Sequence, residues 1–99
     1  MIVAYVSVKT KENMAGKFEE TIREIVAAVR QMVGCVKNEW YRVPDAPQRY
    51  VFYGEFDSKE NFEKYLQSDV VKRIGDELMP LLEAPPEFKH YEATVLETS

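Results

Sequence analysis

Cysteine and histidine are almost missing from this chain: Cys35 and His90 occur once each. A lone cysteine excludes an intrachain disulfide, and one thiol with one imidazole falls short of a Cys/His zinc site. Nor is there a glycine-rich phosphate loop or a nicotinamide fingerprint. No apolar run nears the roughly 20 residues of a membrane-spanning helix. Basic residues do not cluster either. The 13 Lys and Arg are interleaved with 17 Asp and Glu, for a formal net charge of −4, which argues against nucleic acid or an anionic membrane as partner. The opening stretch MIVAYVSVKTKE lacks a signal-peptide layout and reads as a strand, so a cytoplasmic location is expected.

What is present is a globular composition. Hydrophobic residues make up 45% and charged residues 30% of 99 positions, enough for one domain spanning 1–99 with a single core.

Residues Ile2 to Lys9 alternate and favour β-branched and aromatic types, which predicts a strand. Met14, Phe18, Ile22, Ile25, Val26, Val29, Met32 and Val33 then recur by threes and fours, the spacing of an amphipathic helix. Gly34 suits the left-handed turn after it. A second strand runs from Cys35 to about Val43, and VPDAPQR supplies a turn. The third strand, Tyr50 to Phe56, pairs with the second as a hairpin. DSKE reads as a capping box at Asp57 or Ser58, with Glu60 reaching back. The helix after it carries Phe62, Tyr65 and Leu66, breaks near Ser68 and Asp69, and restarts with Val70, Val71, Ile74, Leu78, Leu81 and Leu82. Pro80 should kink or end that segment. Phe88 to Leu96 form the last strand.

The order βαββαβ predicts an α+β, ferredoxin-like fold: a four-stranded antiparallel sheet with helices on one face. Both faces of the strands are apolar. Ile2, Ala4, Val6, Val8, Tyr50, Phe52 and Phe56 lie on one, and Val3, Tyr5, Val51 and Tyr53 on the other. One set of helices covers one face, so a second copy of the chain is expected on the other, giving a homodimer.

GCVKNEWYRVPDAPQRYVFYGEF and KENFEKYLQSDVVKRI, in this element order, resemble the antibiotic biosynthesis monooxygenase family over nearly the whole chain. The resemblance implies a dimeric α/β barrel. It also implies one of several chemistries: cofactor-independent oxygenation of quinols and polyketide-like aromatics, haem degradation, or isomerisation of a phosphorylated sugar. Members often carry Glu at the position of Gly54 and His at those of Tyr65 and Val70. The haem-degrading branch would place Asn near Ala4, Trp at Tyr65 and His at Gly75. This chain has none of these, so haem degradation is not expected.

In such a fold a cavity lies between helices and sheet, and strand parity turns Ala4, Asn38, Trp40, Phe52, Gly54 and Phe56 towards it, with Tyr65 from the helix. Asn38 is a polar group aimed at an apolar layer, and leaving it unpaired would cost roughly 1–3 kcal/mol. It would bind a ligand carbonyl or hydroxyl, or else meet a backbone group or a trapped water. Trp40 would stack on a planar substrate or simply pack. Tyr65 would donate a proton or orient a substrate oxygen, or keep its hydroxyl wet at the core edge. Arg42 would sit at the rim. His90 offers a base or a structural ring, and Cys35 reads as a small buried hydrophobe.

Two functions fit. The first is a cofactor-independent monooxygenase of a small aromatic, with Asn38, Trp40 and Tyr65 as its working residues and no metal. The alternative is a non-catalytic dimeric domain that binds a small apolar molecule. Gly54 raises its own question, because glycine weakens a strand unless something must approach closely.

Overall fold

The alternating and amphipathic segments fold in the expected order. The computed structural model describes residues 1–97, so the last two positions of the 1–99 span lie outside the described residues. Strands β1 (Ile2–Lys9), β2 (Cys35–Arg42), β3 (Arg49–Phe56) and β4 (Glu87–Glu92) form one antiparallel sheet in the order β2-β3-β1-β4. Helix α1 (Ala15–Val29) joins β1 to β2, while α2 (Lys59–Leu66) and α3 (Asp69–Arg73) lie between β3 and β4. After α3 come one π turn over Ile74–Leu78 and one 3-10 turn over Met79–Leu81. This is the ferredoxin-like βαββαβ arrangement.

Local chemistry accounts for the breaks. The Ser58 hydroxyl accepts from the Asn61 N–H at 3.1 Å and starts α2. Glu60 does not complete the expected box but lies 3.8 Å from Lys64. Ser68 caps α3 in the same way, accepting from the Val71 N–H at 3.4 Å while donating to the Tyr65 carbonyl at 2.6 Å. Pro80, which has no N–H to give, falls in the 3-10 turn, beyond the α-helical stretch.

Two boundaries differ from the sequence reading. Helix α1 stops at Val29, so Met32 and Val33 follow it in a turn, where Val33 is 80% exposed. Gly34 ends that turn with φ +87°, and a Cβ there would lie 2.5 Å from the Asn61 Cβ, so glycine alone fits beneath α2. Strand β4 ends at Glu92 instead of Leu96. Its last ladder pair is Glu92 with Ile2, and beyond it the Ala93 N–H reaches the Met1 carbonyl at 2.8 Å.

The core lies between α1 and the sheet. Phe18, Ile22, Ile25, Val26 and Val29 pack on Ile2, Val8, Tyr50 and Phe56, with Phe62, Leu78 and Leu82 closing the far side. The opposite sheet face has no helix over it. It presents Tyr5, Tyr41, Val51, Tyr53 and Tyr91, of which Tyr5, Tyr41 and Tyr91 are exposed in the single chain.

Candidate functional site

Register creates the site. Antiparallel pairing puts Asn38, Gly54, Ala4 and His90 in one row across all four strands, and Trp40, Phe52, Val6 and Phe88 in the next. The middle of the first row is glycine and alanine. Helices laid over such a row leave a space, because no large side chain rises to meet them.

Over the Ala4–His90 half of the row that space is a cavity of about 360 Å³, at the lower end of the roughly 300–1,000 Å³ of small-molecule sites. Ala4, Val6, Phe18 and Phe52 line it from below and from α1, Phe62 and Tyr65 from α2, and Leu78 from the π turn. Tyr65 and His90 are the lining residues that carry a polar side chain, and none is acidic. Such a wall selects an apolar ligand with a polar group at one or two points.

Tyr65 is held by its ring against Phe56 and Phe62, with centroids 4.9 and 5.9 Å away. Burial first, then the neighbouring Cys35, pushes its phenol up to about 12, so the group stays protonated at neutral pH and can donate. His90 sets its ring edge-on to Phe62 at 4.8 Å and reaches the cavity from the edge strand β4. The sequence reading did not count His90 among the residues that face the cavity. A usable signal existed: Phe88 and His90 share a face, and pairing β4 with β1 brings that face against Val6 and Ala4.

Asn38 stands at the other end of the row and does not line the main cavity. Its backbone carbonyl accepts from Arg30 Nε at 2.8 Å. Its side-chain amide lies over Gly54 and borders a separate void of about 30 Å³ beneath α1. A Cβ on residue 54 would come 2.9 Å from the Asn38 Nδ2, so close approach of the amide is what the glycine permits.

Trp40 lies on the helix-covered face, as parity requires, yet it lines neither the cavity nor the void. The guanidinium groups of Arg23 and Arg42 lie 5.4 and 5.6 Å from its ring centre, and these cation–π contacts hold it at the sheet edge. Strand alternation would put Val36 on the same face as Asn38 and Trp40, but a bulge between Cys35 and Lys37 turns it outward to 59% exposure, while Cys35 packs against the core.

Beside Trp40, Glu19 accepts three hydrogen bonds from two partners. Its carboxylate accepts from Arg42 Nη2 at 2.5 Å, from Arg42 Nε at 2.9 Å and from the Tyr50 hydroxyl at 2.6 Å. The Arg42 hydrogen bonds, then that of Tyr50, lower Glu19 from 4.5 to about 2. Burial, with the Glu19 bond second, pushes Tyr50 up to about 12. A carboxyl lowered by folding stabilises the protein above its ordinary range, so this contribution is complete above 4.5 and is lost as pH falls towards about 2. Solvent at the edge of the cluster screens it, leaving an expected gain of at most about 1 kcal/mol. Urea unfolding across that pH range should show the loss, and Glu19→Gln should remove it. Equal pH dependence in both proteins would refute the assignment.

The profile of the family described as antibiotic biosynthesis monooxygenase matches residues 1–77. No curated protein sequence matches the chain. Among solved structures, a candidate antibiotic biosynthesis monooxygenase of Deinococcus radiodurans superposes with a TM-score of 0.91 at 18% identity, covering 100% of this chain and 98% of its own. One from Nitrosomonas europaea, also a candidate by name, gives 0.89 at 17% identity, over 96% of this chain and 100% of its own. A conserved protein of Methanosarcina mazei gives 0.88 at 17% identity, over 94% and 92%. At these identities the superpositions speak for the fold, while the sequence profile covers more than half the chain. The chain belongs to the antibiotic biosynthesis monooxygenase family.

Proposed function

We propose that this chain, as one domain over 1–99, is a cofactor-independent monooxygenase of a small quinol-like or polyketide-like aromatic. The observation that carries the reading is the apolar cavity, broken only by Tyr65 and His90. A planar aromatic fills such a space through dispersion and desolvation, and its ring oxygens meet the two polar groups. The unpartnered tyrosine-rich sheet face supports assembly as a homodimer, and a single cysteine suits a reducing cytoplasm.

The chemistry needs no electron donor beyond the substrate. His90 takes a proton from the quinol or the ring methylene, and the resulting anion passes one electron to dioxygen. The two radicals join as a carbon-bound peroxide, and loss of water leaves a new carbonyl. One oxygen atom ends in the product and the other in water, with the substrate supplying all four electrons. The protein contributes a dry space, a fixed orientation and the Tyr65 O–H, which donates to the substrate oxygen that carries the charge.

Oxygen uptake with a panel of quinols and anthrones tests this. Tyr65→Phe is expected to lower kcat by about a hundredfold, the usual loss for one aimed donor, and His90→Gln by about a hundredfold as a lost base. Turnover indifferent to both changes would reject the assignment. A second reading, a domain that binds a small apolar molecule without converting it, draws on the absence of any acidic side chain from the cavity wall. Calorimetric binding of the same compounds without oxygen consumption would favour it.

A further inference from the structure

Beside the main cavity, between α1 and the sheet, lies the void of about 30 Å³ that Asn38 and Gly54 border. We propose that this void is the dioxygen site of the monooxygenase, a pocket for one small apolar diatomic molecule; this inference rests on the function proposed above.

Size comes first. A single water needs about 10–15 Å³ of such space, so the void has room for two adjoining small centres and for no organic ligand. Its walls come second. Ile22, Ile25, Val26, Val29 and Phe56 are all 4% exposed or less, so the α1 side of the void lies in the core. A water there would need two to four polar partners and would meet at most the side chains of Asn38 and Tyr65, while the rest of the wall is apolar and suits gas atoms. Dioxygen asks for no hydrogen bond while it is neutral.

Position is the third point. Ala4, Val6, Phe52, Tyr65 and Ile74 border both the void and the 360 Å³ cavity, so one layer of side chains is common to the two. A molecule in the void lies against the place where the aromatic binds. The two polar side chains of the void then acquire a use. When the substrate anion gives up one electron, dioxygen becomes superoxide, and its new charge requires donors that were in place beforehand. The Asn38 amide is such a donor, and the Tyr65 hydroxyl joins it once the electron, and with it the charge, has left the substrate oxygen. Tyr65 keeps its proton because burial raises its phenol to about 12. Superoxide and the substrate radical then couple to the peroxide that later loses water, so no outside reductant enters.

Gly54 belongs to the same device. A side chain there would push the Asn38 amide away at 2.9 Å, and the void would lose one of its donors.

Xenon-pressurised crystals of the wild-type protein provide the test, because xenon occupies dry apolar voids. Xenon is expected in the void beside Val26 and Asn38. Val26→Ile and Val29→Ile each add one methylene to the wall. Each is expected to expel the gas and raise the KM for dioxygen on the order of tenfold, the discrimination one methylene gives, with the Kd for the quinol unchanged. An ordered water bonded to both Asn38 and Tyr65, with xenon confined to the larger cavity, would overturn the proposal. Should either variant fold poorly, the wild-type xenon density decides alone. Xenon in the void without oxygen uptake on any aromatic would reject the monooxygenase reading and uphold the gas pocket.

Discussion

Phe18→Ala is expected to lower the unfolding free energy by about 3–5 kcal/mol, the range for truncating a fully buried aromatic. Phe18 is 0% exposed. Its ring stacks within 4.6 Å of Tyr50 and 5.8 Å of Phe52, tying α1 to the middle of β3. Alanine removes those contacts and opens a hole that the sheet cannot collapse into, because strand register prevents β3 from shifting toward the helix. For a chain of this size the loss approaches the whole margin of stability. Urea titration reads it directly, as a fall in the midpoint with the slope preserved. A change below about 1 kcal/mol would mean that α1 can slide to refill the space, and the cavity beside Phe18 would then be a variable feature of the fold.

Ala4→Phe is expected to act the other way, sparing the fold and removing the site. Ala4 lies on the inner strand β1, flanked by Gly54 on one side and His90 on the other, and it borders the cavity and the void together. A phenyl ring at this point rises into open space instead of into packed neighbours, so the overpacking penalty of roughly 1–3 kcal/mol that a filled core would exact should largely vanish. Aromatic ligands should lose about a hundredfold in affinity, or about 2.8 kcal/mol. Calorimetry for binding and thermal unfolding for stability separate the two effects. Full affinity in a stable variant would place the ligand elsewhere, with the tyrosine-rich open face as the alternative surface.

The pair of variants also marks two kinds of residue that a periodic pattern treats alike. Phe18 and Ala4 both fall on inward positions, one by helical spacing and one by strand alternation. The pattern says that both are covered. It does not say that one is stacked between α1 and two aromatic rings of β3 while the other, a small residue, leaves an empty volume above it. That difference depends on the size of the residues that register brings alongside, and those come from β3 and β4, far away in the chain.

Several features were readable from local order alone. Alternation marked the strands and their faces, and spacing by threes and fours marked α1. Ser58 and Ser68 signalled the starts of α2 and α3, because capping involves residues within one turn of each other. The position of Tyr65 beside the sheet followed from the same periodicity. Other expectations failed for tertiary reasons. Trp40 was drawn to the sheet edge by Arg23, a residue of α1, together with Arg42. The bulge at Val36 turned that side chain out, and β4 ended at Glu92, the residue paired with the first residue of β1.

By itself, then, the sequence determined the element order, the inward faces, the apolar nature of the core and the residue types available for chemistry. These are set by backbone preference and by burial of neighbours close in the chain. Only the tertiary structure decided that Asn38, Gly54, Ala4 and His90 form one row, that a cavity opens above its small centre, and that a second, smaller void adjoins it. The reason is physical: empty space belongs to no residue, and it appears only where side chains from four strands and a helix fail to meet.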